Sequence, residues 1–149
     1  MTAEDRLLAF AASRNLGVLT TLKRDGRPQL SAVNFTFDSE SRTARVSVTD
    51  DLAKTRNVRR DPRVSLFVSS DDGWSYAVLE GDAALSQVAA DPDDATVEAL
   101  IDAYRAVRGS DHPDWDDYRR AMVADKRIVL TLHVTHVYGA PPGALTNDG

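Results

Sequence analysis

The sequence contains no cysteine, which removes disulfides, thiolate-bound metals and cysteine nucleophiles together. It has three histidines, His112, His133 and His136. His133 and His136 stand three apart in a run that alternates as a strand, a spacing that points them to opposite faces and away from a shared metal, so no metal site is expected. No serine sits in a nucleophile-elbow pattern, and no glycine-rich loop matches a P-loop or a dinucleotide-binding turn. No apolar run approaches membrane-spanning length, and "MTAEDRLLAF" carries acids where a signal peptide needs cations. A cytoplasmic protein without membrane insertion is therefore expected. The acidic pairs Asp93-Asp94 and Asp116-Asp117 fall near helix starts, where they serve most simply as partners of the helix dipole. With so little reactive side-chain chemistry, an enzyme built on this chain would depend on a bound organic cofactor.

What is present describes an ordinary globular chain. Its 149 residues are 42% hydrophobic and 28% charged, which suits one domain over 1–149 with a real core. The formal net charge of -5 argues against a general nucleic-acid binder. Thr2 and Asp5 frame the start of a short helix that carries Leu7, Leu8 and Ala11 on one face. "LGVLTTL" alternates, with Leu16, Val18, Thr20 and Leu22 on one side, and Asp25-Gly26 turns it into a second strand, "PQLSAVNFTF". Further strands are expected in "ARVSV", "RVSLFVSS", "WSYAVLEGDAALS" and "KRIVLTLHVTHV", the last with Ile128, Leu130, Leu132 and Val134 on one face. Two helices lie between the last two strands. Asp91 and Pro92 would open the first, striped by Val97, Leu100, Ile101, Tyr104 and Val107 and ended by Gly109. Pro113 would open the second, which shows Trp115, Tyr118 and Met122. The tail from about 141 to 149 is expected to be loose. Some six strands joined by tight turns, plus a few helices, predict a mainly β (α+β) fold, a split antiparallel barrel with flanking helices.

The stretch "DDLAKTRNVRRDPRVSLFV" gathers Lys54, Arg56, Arg59, Arg60 and Arg63 within ten positions of an acidic chain. Like charges at that density need solvent, carboxylates or a bound anion. One reading is a solvated face paired with Asp50, Asp51, Asp61, Asp71 and Asp72. The other is an anion site, because Lys54 and Thr55 fall in the first turns of a helix capped by Asp50 or Asp51, where free N–H groups attract negative charge. Ser47 and Thr49, sharing one face of the preceding strand, would add hydroxyl donors.

"AKTRNVRRDPRVSLFV" followed by "DDGWSYAVLEGDA" resembles the split-barrel flavin-binding superfamily that includes pyridoxamine 5′-phosphate oxidase, and more narrowly its actinobacterial branch that binds the deazaflavin coenzyme F420. The resemblance runs from "GVLTTLKRDGRPQLS" through "THVYGAPPG". It implies a homodimer with two cofactor sites at the subunit interface. Gln29 and Ser31 would lie along the ring system and ribityl chain, and Ser47, Lys54 and Thr55 would hold the phosphate region. Trp74 and Tyr76, two apart on one strand, would reach in from the partner, as would Lys126 and Arg127 at the head of the last strand. Core or dimer packing is the alternative for Trp74 and Tyr76, and a solvated strand start for Lys126 and Arg127; with the family resemblance the site reading is preferred for both pairs. Two departures stand out. Leu52 occupies a position two before the lysine where relatives often carry a basic residue, and "VYGAPPGALTNDG" replaces the Trp- and Arg-rich segment with which pyridoxamine phosphate oxidases grip substrate. The second departure argues against vitamin B6 oxidation.

Between the two cofactors, coenzyme F420 is favoured over flavin mononucleotide. Its oligoglutamate tail demands a concentration of cations, for which Lys54, Arg56, Lys126 and Arg127, with Lys23, Arg24 and Arg27, are candidates. The expected activity is hydride transfer from the reduced deazaflavin to an electron-poor unsaturated small molecule. An enzyme using flavin mononucleotide, a cofactor carrier without catalysis, and a nucleic-acid module using the arginine cluster are the alternatives.

Overall fold

The computed structural model describes residues 1–143; residues 144–149, most of the expected loose tail, lie outside it. Its elements run α1 (Ala3–Ala12), β1 (Leu16–Leu22), β2 (Pro28–Asn34), β3 (Thr36–Asp38), β4 (Thr43–Thr49), α2 (Ala53–Arg60), β5 (Arg63–Ser69), β6 (Tyr76–Leu85), α3 (Ala95–Arg108), α4 (Trp115–Ala124) and β7 (Arg127–Ala140). The strands form one sheet in the order β2-β1-β5-β6-β7-β4-β3, and every neighbouring pair is antiparallel.

That order carries a constraint. β2 and β3 occupy opposite edges of the sheet, yet Phe35 alone separates them in the chain. A flat sheet would hold its edges about 29 Å apart over six inter-strand spacings, while consecutive Cα atoms are only about 3.8 Å apart. The sheet must roll until its edges meet at Phe35, which gives the expected split barrel. Phe35 is fully buried at this seam, and its N–H donates to the Asn15 carbonyl at 2.9 Å.

Alternation decides what fills the roll. Val46 and Val48 of β4, Leu66 and Val68 of β5, Leu79 of β6 and Ile128, Leu130 and Leu132 of β7 point inward. Leu7, Leu8, Phe10 and Ala11 of α1 join them, held by the expected Thr2–Asp5 capping box. On β1 the side bearing Leu16, Val18, Thr20 and Leu22 is the outer one, and Gly17, Leu19 and Thr21 face the core. Outside the barrel, Val97, Leu100 and Ile101 of α3 and Met122 of α4 pack with Val129 into a second cluster.

Several boundaries differ from expectation. "PQLSAVNFTF" breaks at Phe35 rather than running on as one strand. α2 begins after Leu52 with no side-chain cap, because Asp50 pairs with Arg59 and Asp51 accepts from Thr49 Oγ1 at 3.1 Å. α3 is capped by Asp94, whose carboxylate accepts from Val97 N–H at 2.8 Å and also from the N–H groups of Ala90 and Asp91. Asp91 and Pro92 belong to the preceding turn. Asp114, not Pro113, caps α4. Gly109 ends α3 as expected, at φ 71 in the left-handed region.

The ladder between β6 and β7 shifts register at Glu80/Gly81. Beyond this bulge Glu80 pairs with His136, while Asp82 pairs with His133. The extra residue turns both histidines to the outer face, against the expectation of opposite faces. Gly81 is required there, since a Cβ would lie 1.9 Å from the His133 carbonyl oxygen. Among the described residues no three potential ligands come together to hold a metal.

Register also assembles an apolar rung outside the sheet. Ala32 pairs with Val18, Val18 with Phe67, Phe67 with Val78 and Val78 with Tyr138, so one outward row crosses five strands. Leu16 and Leu30 flank it, 59% and 61% exposed.

Candidate active site

The rolled sheet brings β2 alongside β4 without a ladder between them. Over that gap lies a cavity of about 380 Å³. Its sheet side is Ala32, Val33 and Asn34 of β2 with Arg45 and Ser47 of β4, and Leu52 and Lys54 enter from the start of α2. The opposite wall is apolar and aromatic, with Leu100, Ala103, Tyr104 and Val107 of α3 and Tyr118 and Met122 of α4. Arg108 and Arg127 complete it.

Four cations therefore line the cavity, Arg45, Lys54, Arg108 and Arg127, and no carboxylate does. Lys54 Nζ donates to Ser31 Oγ at 3.3 Å. Burial first, and the nearby Arg127 charge second, push the Lys54 ammonium below its ordinary value of 10.5. Arg127 Nε is buried with no hydrogen-bond partner; its nearest carboxylate, Asp125, is 3.9 Å away. Among the described residues Arg45 and Arg108 make no ion pair, and the Arg108 guanidinium lies 5.6 Å from the Tyr104 ring centroid. An orphaned guanidinium N–H beside a partly desolvated ammonium can hold an anion.

The basic segment splits between the two readings of its charge. Arg59 pairs with Asp50. Arg63 pairs with Asp61 at 2.8 Å, and hydrogen bonds from Arg63 hold the Asp61 carboxyl down to about 2. Arg60 donates to the Leu22 carbonyl at 2.6 Å and to Asn57 Oδ1 at 3.1 Å. These three arginines have local partners, and Lys54 is the member of the cluster that turns into the cavity.

Of the other expected residues, Ser47 and Arg127 line the same cavity as Lys54, and Ser31 adjoins it through the Lys54 bond. Arg127 shares that cavity with Lys54 within one chain, because β7 runs beside β4 with Arg127 opposite Thr49. Lys126 heads no strand; it is exposed in a turn at φ 52. Gln29 Oε1 accepts from Asn57 Nδ2 at 2.9 Å, and that amide also donates to Thr21 Oγ1 at 3.1 Å. The Thr55 side chain is fully buried, its hydroxyl donating to the Thr49 carbonyl at 2.7 Å, so it anchors α2 to the end of β4.

Trp74 precedes β6 in a turn, 72% exposed, and does not share a strand with Tyr76. Tyr76 stacks on Phe67 with centroids 5.7 Å apart. Tyr76 pairs with Ala140, whereas the Leu85 end of β6 pairs with Leu130, near Arg127. Neither Trp74 nor Tyr76 lines the cavity of its own chain.

Arg45, Asn57 and Arg108 carried no functional expectation. Asn57 had a readable signal, a polar residue on the packed side of a short helix. Arg45 and Arg108 had none, being single charges in alternating or amphipathic patterns.

The sequence matches the family described as pyridoxamine 5′-phosphate oxidase over residues 3–140. A Mycobacterium tuberculosis protein named F420H(2)-dependent biliverdin reductase is 34% identical over 136 residues, 91% of this chain and 87% of its own. Among solved structures, a conserved hypothetical protein of Mycobacterium tuberculosis superposes with a TM-score of 0.75 at 20% identity, covering 100% of this chain and 92% of that one. A protein called F420 reductase gives 0.60 at 22% identity, covering 87% and 94%. The two structural likenesses establish the fold.

The Lys54 environment is measurable by NMR titration of its Cε signal. The midpoint should fall below 10.5 and move partway back up in Arg127→Gln. A midpoint at or above 10.5 in the parent would contradict the desolvated, cation-flanked site.

Proposed function

The chain belongs to the pyridoxamine 5′-phosphate oxidase family, and from that premise we propose that it is a coenzyme F420-dependent reductase delivering hydride to an electron-poor unsaturated small molecule. The observation that carries this reading is the cavity with four cations and no carboxylate in a chain of net charge -5. The name of the 34% identical relative supports the deazaflavin as cofactor and a linear tetrapyrrole such as biliverdin as the acceptor class.

Each side chain has a definite task. Lys54 and Arg127 bind the phosphodiester, the buried Arg127 Nε finding there the partner it lacks, and Ser47 adds a hydroxyl donor. Ser31, fixed by Lys54, and Gln29, fixed by Asn57, orient the ribityl chain and ring. Thr55 holds α2 in register with β4 and acts on the ligand through the backbone it positions. Lys126, exposed beside Arg127, can meet the outer part of a long anionic tail. The apolar wall of α3 and α4 keeps water from the cavity. When bound, the deazaflavin supplies two-electron hydride transfer with little reactivity toward oxygen.

The protein acts as a homodimer with the cofactor sites at its interface. The rung Ala32–Val18–Phe67–Val78–Tyr138 runs along the outer face of five strands, with Phe67 38% and Tyr138 46% exposed, and a second copy would bury it. Such a copy carries Tyr76, stacked on Phe67, beside that rung and the exposed Trp74 in the turn before it, and can present both to its neighbour's cavity.

Flavin mononucleotide is the competing cofactor, since a single phosphate would satisfy Lys54, Ser47 and Arg127. Titrating the protein with each cofactor separates the two readings. Coenzyme F420 should bind more tightly than flavin mononucleotide, and Lys54→Met should weaken it about tenfold to a hundredfold, the effect of losing one charge-assisted hydrogen bond. Tighter binding of flavin mononucleotide, or no loss in the variant, would overturn the assignment. For the assembly, sedimentation should give a dimer for the parent and a monomer for Phe67→Asp/Tyr138→Asp. A monomeric parent would remove the interface.

A further inference from the structure

The four cations of the cavity fall into two groups. Lys54 and Arg127 occupy the end where α2 begins and β7 starts, while Arg45 and Arg108 occupy the end at the Phe35 seam. Arg45 stands opposite Thr36, the residue after Phe35. Arg108 follows Val107, whose carbonyl accepts from Asn15 Nδ2 at 3.2 Å, and the Asn15 carbonyl in turn accepts from Phe35 N–H.

Three separate spans give the backbone separation of the two ends. Along β4, Arg45 is four residues from Thr49, the partner of Arg127, about 13 Å. Along β2, Ser31, bonded to Lys54, is three residues from Asn34 at the seam, about 10 Å. Along α3, Leu100, whose carbonyl accepts from the Tyr118 hydroxyl at 3.1 Å, is eight residues from Arg108, about 12 Å. The trough is thus cationic at both ends, with Ala103, Tyr104 and Val107 between.

We infer that Arg45 and Arg108 form a second anion subsite, which binds carboxylate groups on a ligand whose phosphate sits at Lys54 and Arg127. This rests on the reading of the cavity as the cofactor site. A single phosphate can satisfy one end only, and two unpaired arginines whose backbone positions lie roughly 12 Å away call for a second, separate negative charge. Both are planar donors matched to carboxylates. Those carboxylates belong either to the oligoglutamate tail of the cofactor or to the hydride acceptor, and the two sources can be told apart.

The test titrates the full chain with coenzyme F420 bearing its tail and with deazaflavin 5′-monophosphate. The parent should bind the tailed form about tenfold more tightly, the effect of two partly exposed charge pairs, and Arg45→Gln/Arg108→Gln should bring the ratio to about one. Should the ratio in the double variant match the parent's, KM for biliverdin against its dimethyl ester decides. A rise for the acid alone assigns the subsite to the acceptor, and no change in either overturns the proposal. A parent that binds neither deazaflavin overturns the cofactor assignment instead, a failure visible before any variant is made. Arg108→Gln alone, at an exposed helix end, keeps the comparison available if the double variant does not fold.

Discussion

The passage of the chain through Phe35 governs the architecture. One residue connects strands that lie at opposite edges of a seven-stranded sheet, so the sheet closes on itself and β2 comes to rest beside β4 without bonding to it. Closure makes the core, since the inward residues of every strand then face a shared interior. It also makes the cavity, because the unbonded gap is roofed by α3 and α4. The helices cover that gap through a separate apolar cluster centred on Val129, outside the barrel. One topological feature thus sets the frame, the opening in it and the wall opposite.

Electrostatics gives the opening its character. Through most of the molecule the charges find local partners, as Arg59 does in Asp50, Arg63 in Asp61 and Arg119 in Glu98. In the cavity they do not. A strand, a helix start, a helix end and a strand start deliver cations to one concave surface, and the carboxylates of an acidic protein lie elsewhere. Keeping Arg127 Nε buried without an acceptor costs free energy. Under the proposed function a cofactor phosphate would supply that acceptor and offset the cost.

Much of the fold was legible because periodicity of two and turn chemistry report local facts. The hairpin at Asp25-Gly26, the capping box at Thr2, the glycine stop of α3 and the inward face of β7 follow from neighbours within a few residues. The misreadings share the opposite property. The break at Phe35 interrupts no alternation, and the bulge at Glu80/Gly81 is defined only by the facing strand. The N-cap positions fall at Leu52 and Asp94 because Asp50 pairs with Arg59, Asp51 accepts from the Thr49 hydroxyl and Asp91 accepts from the Asp93 N–H. Within the site, Lys54 was legible through its place in the first turn of α2. Arg127 was singled out by resemblance alone, and its place beside Lys54 in the same chain depends on the pairing of β4 with β7. Arg45 and Arg108 left no trace, since their meaning lies in the company they keep across the seam.

The central claim is that Lys54 and Arg127 of one chain hold a cofactor phosphate over the gap between β2 and β4. A crystal structure of the complex with coenzyme F420 tests it most directly. The account predicts phosphate oxygens within hydrogen-bonding distance of both Arg127 Nε and Lys54 Nζ. A phosphate held instead by Lys23, Arg24 and Arg27 of the hairpin, with Arg127 Nε still unpaired, would contradict it.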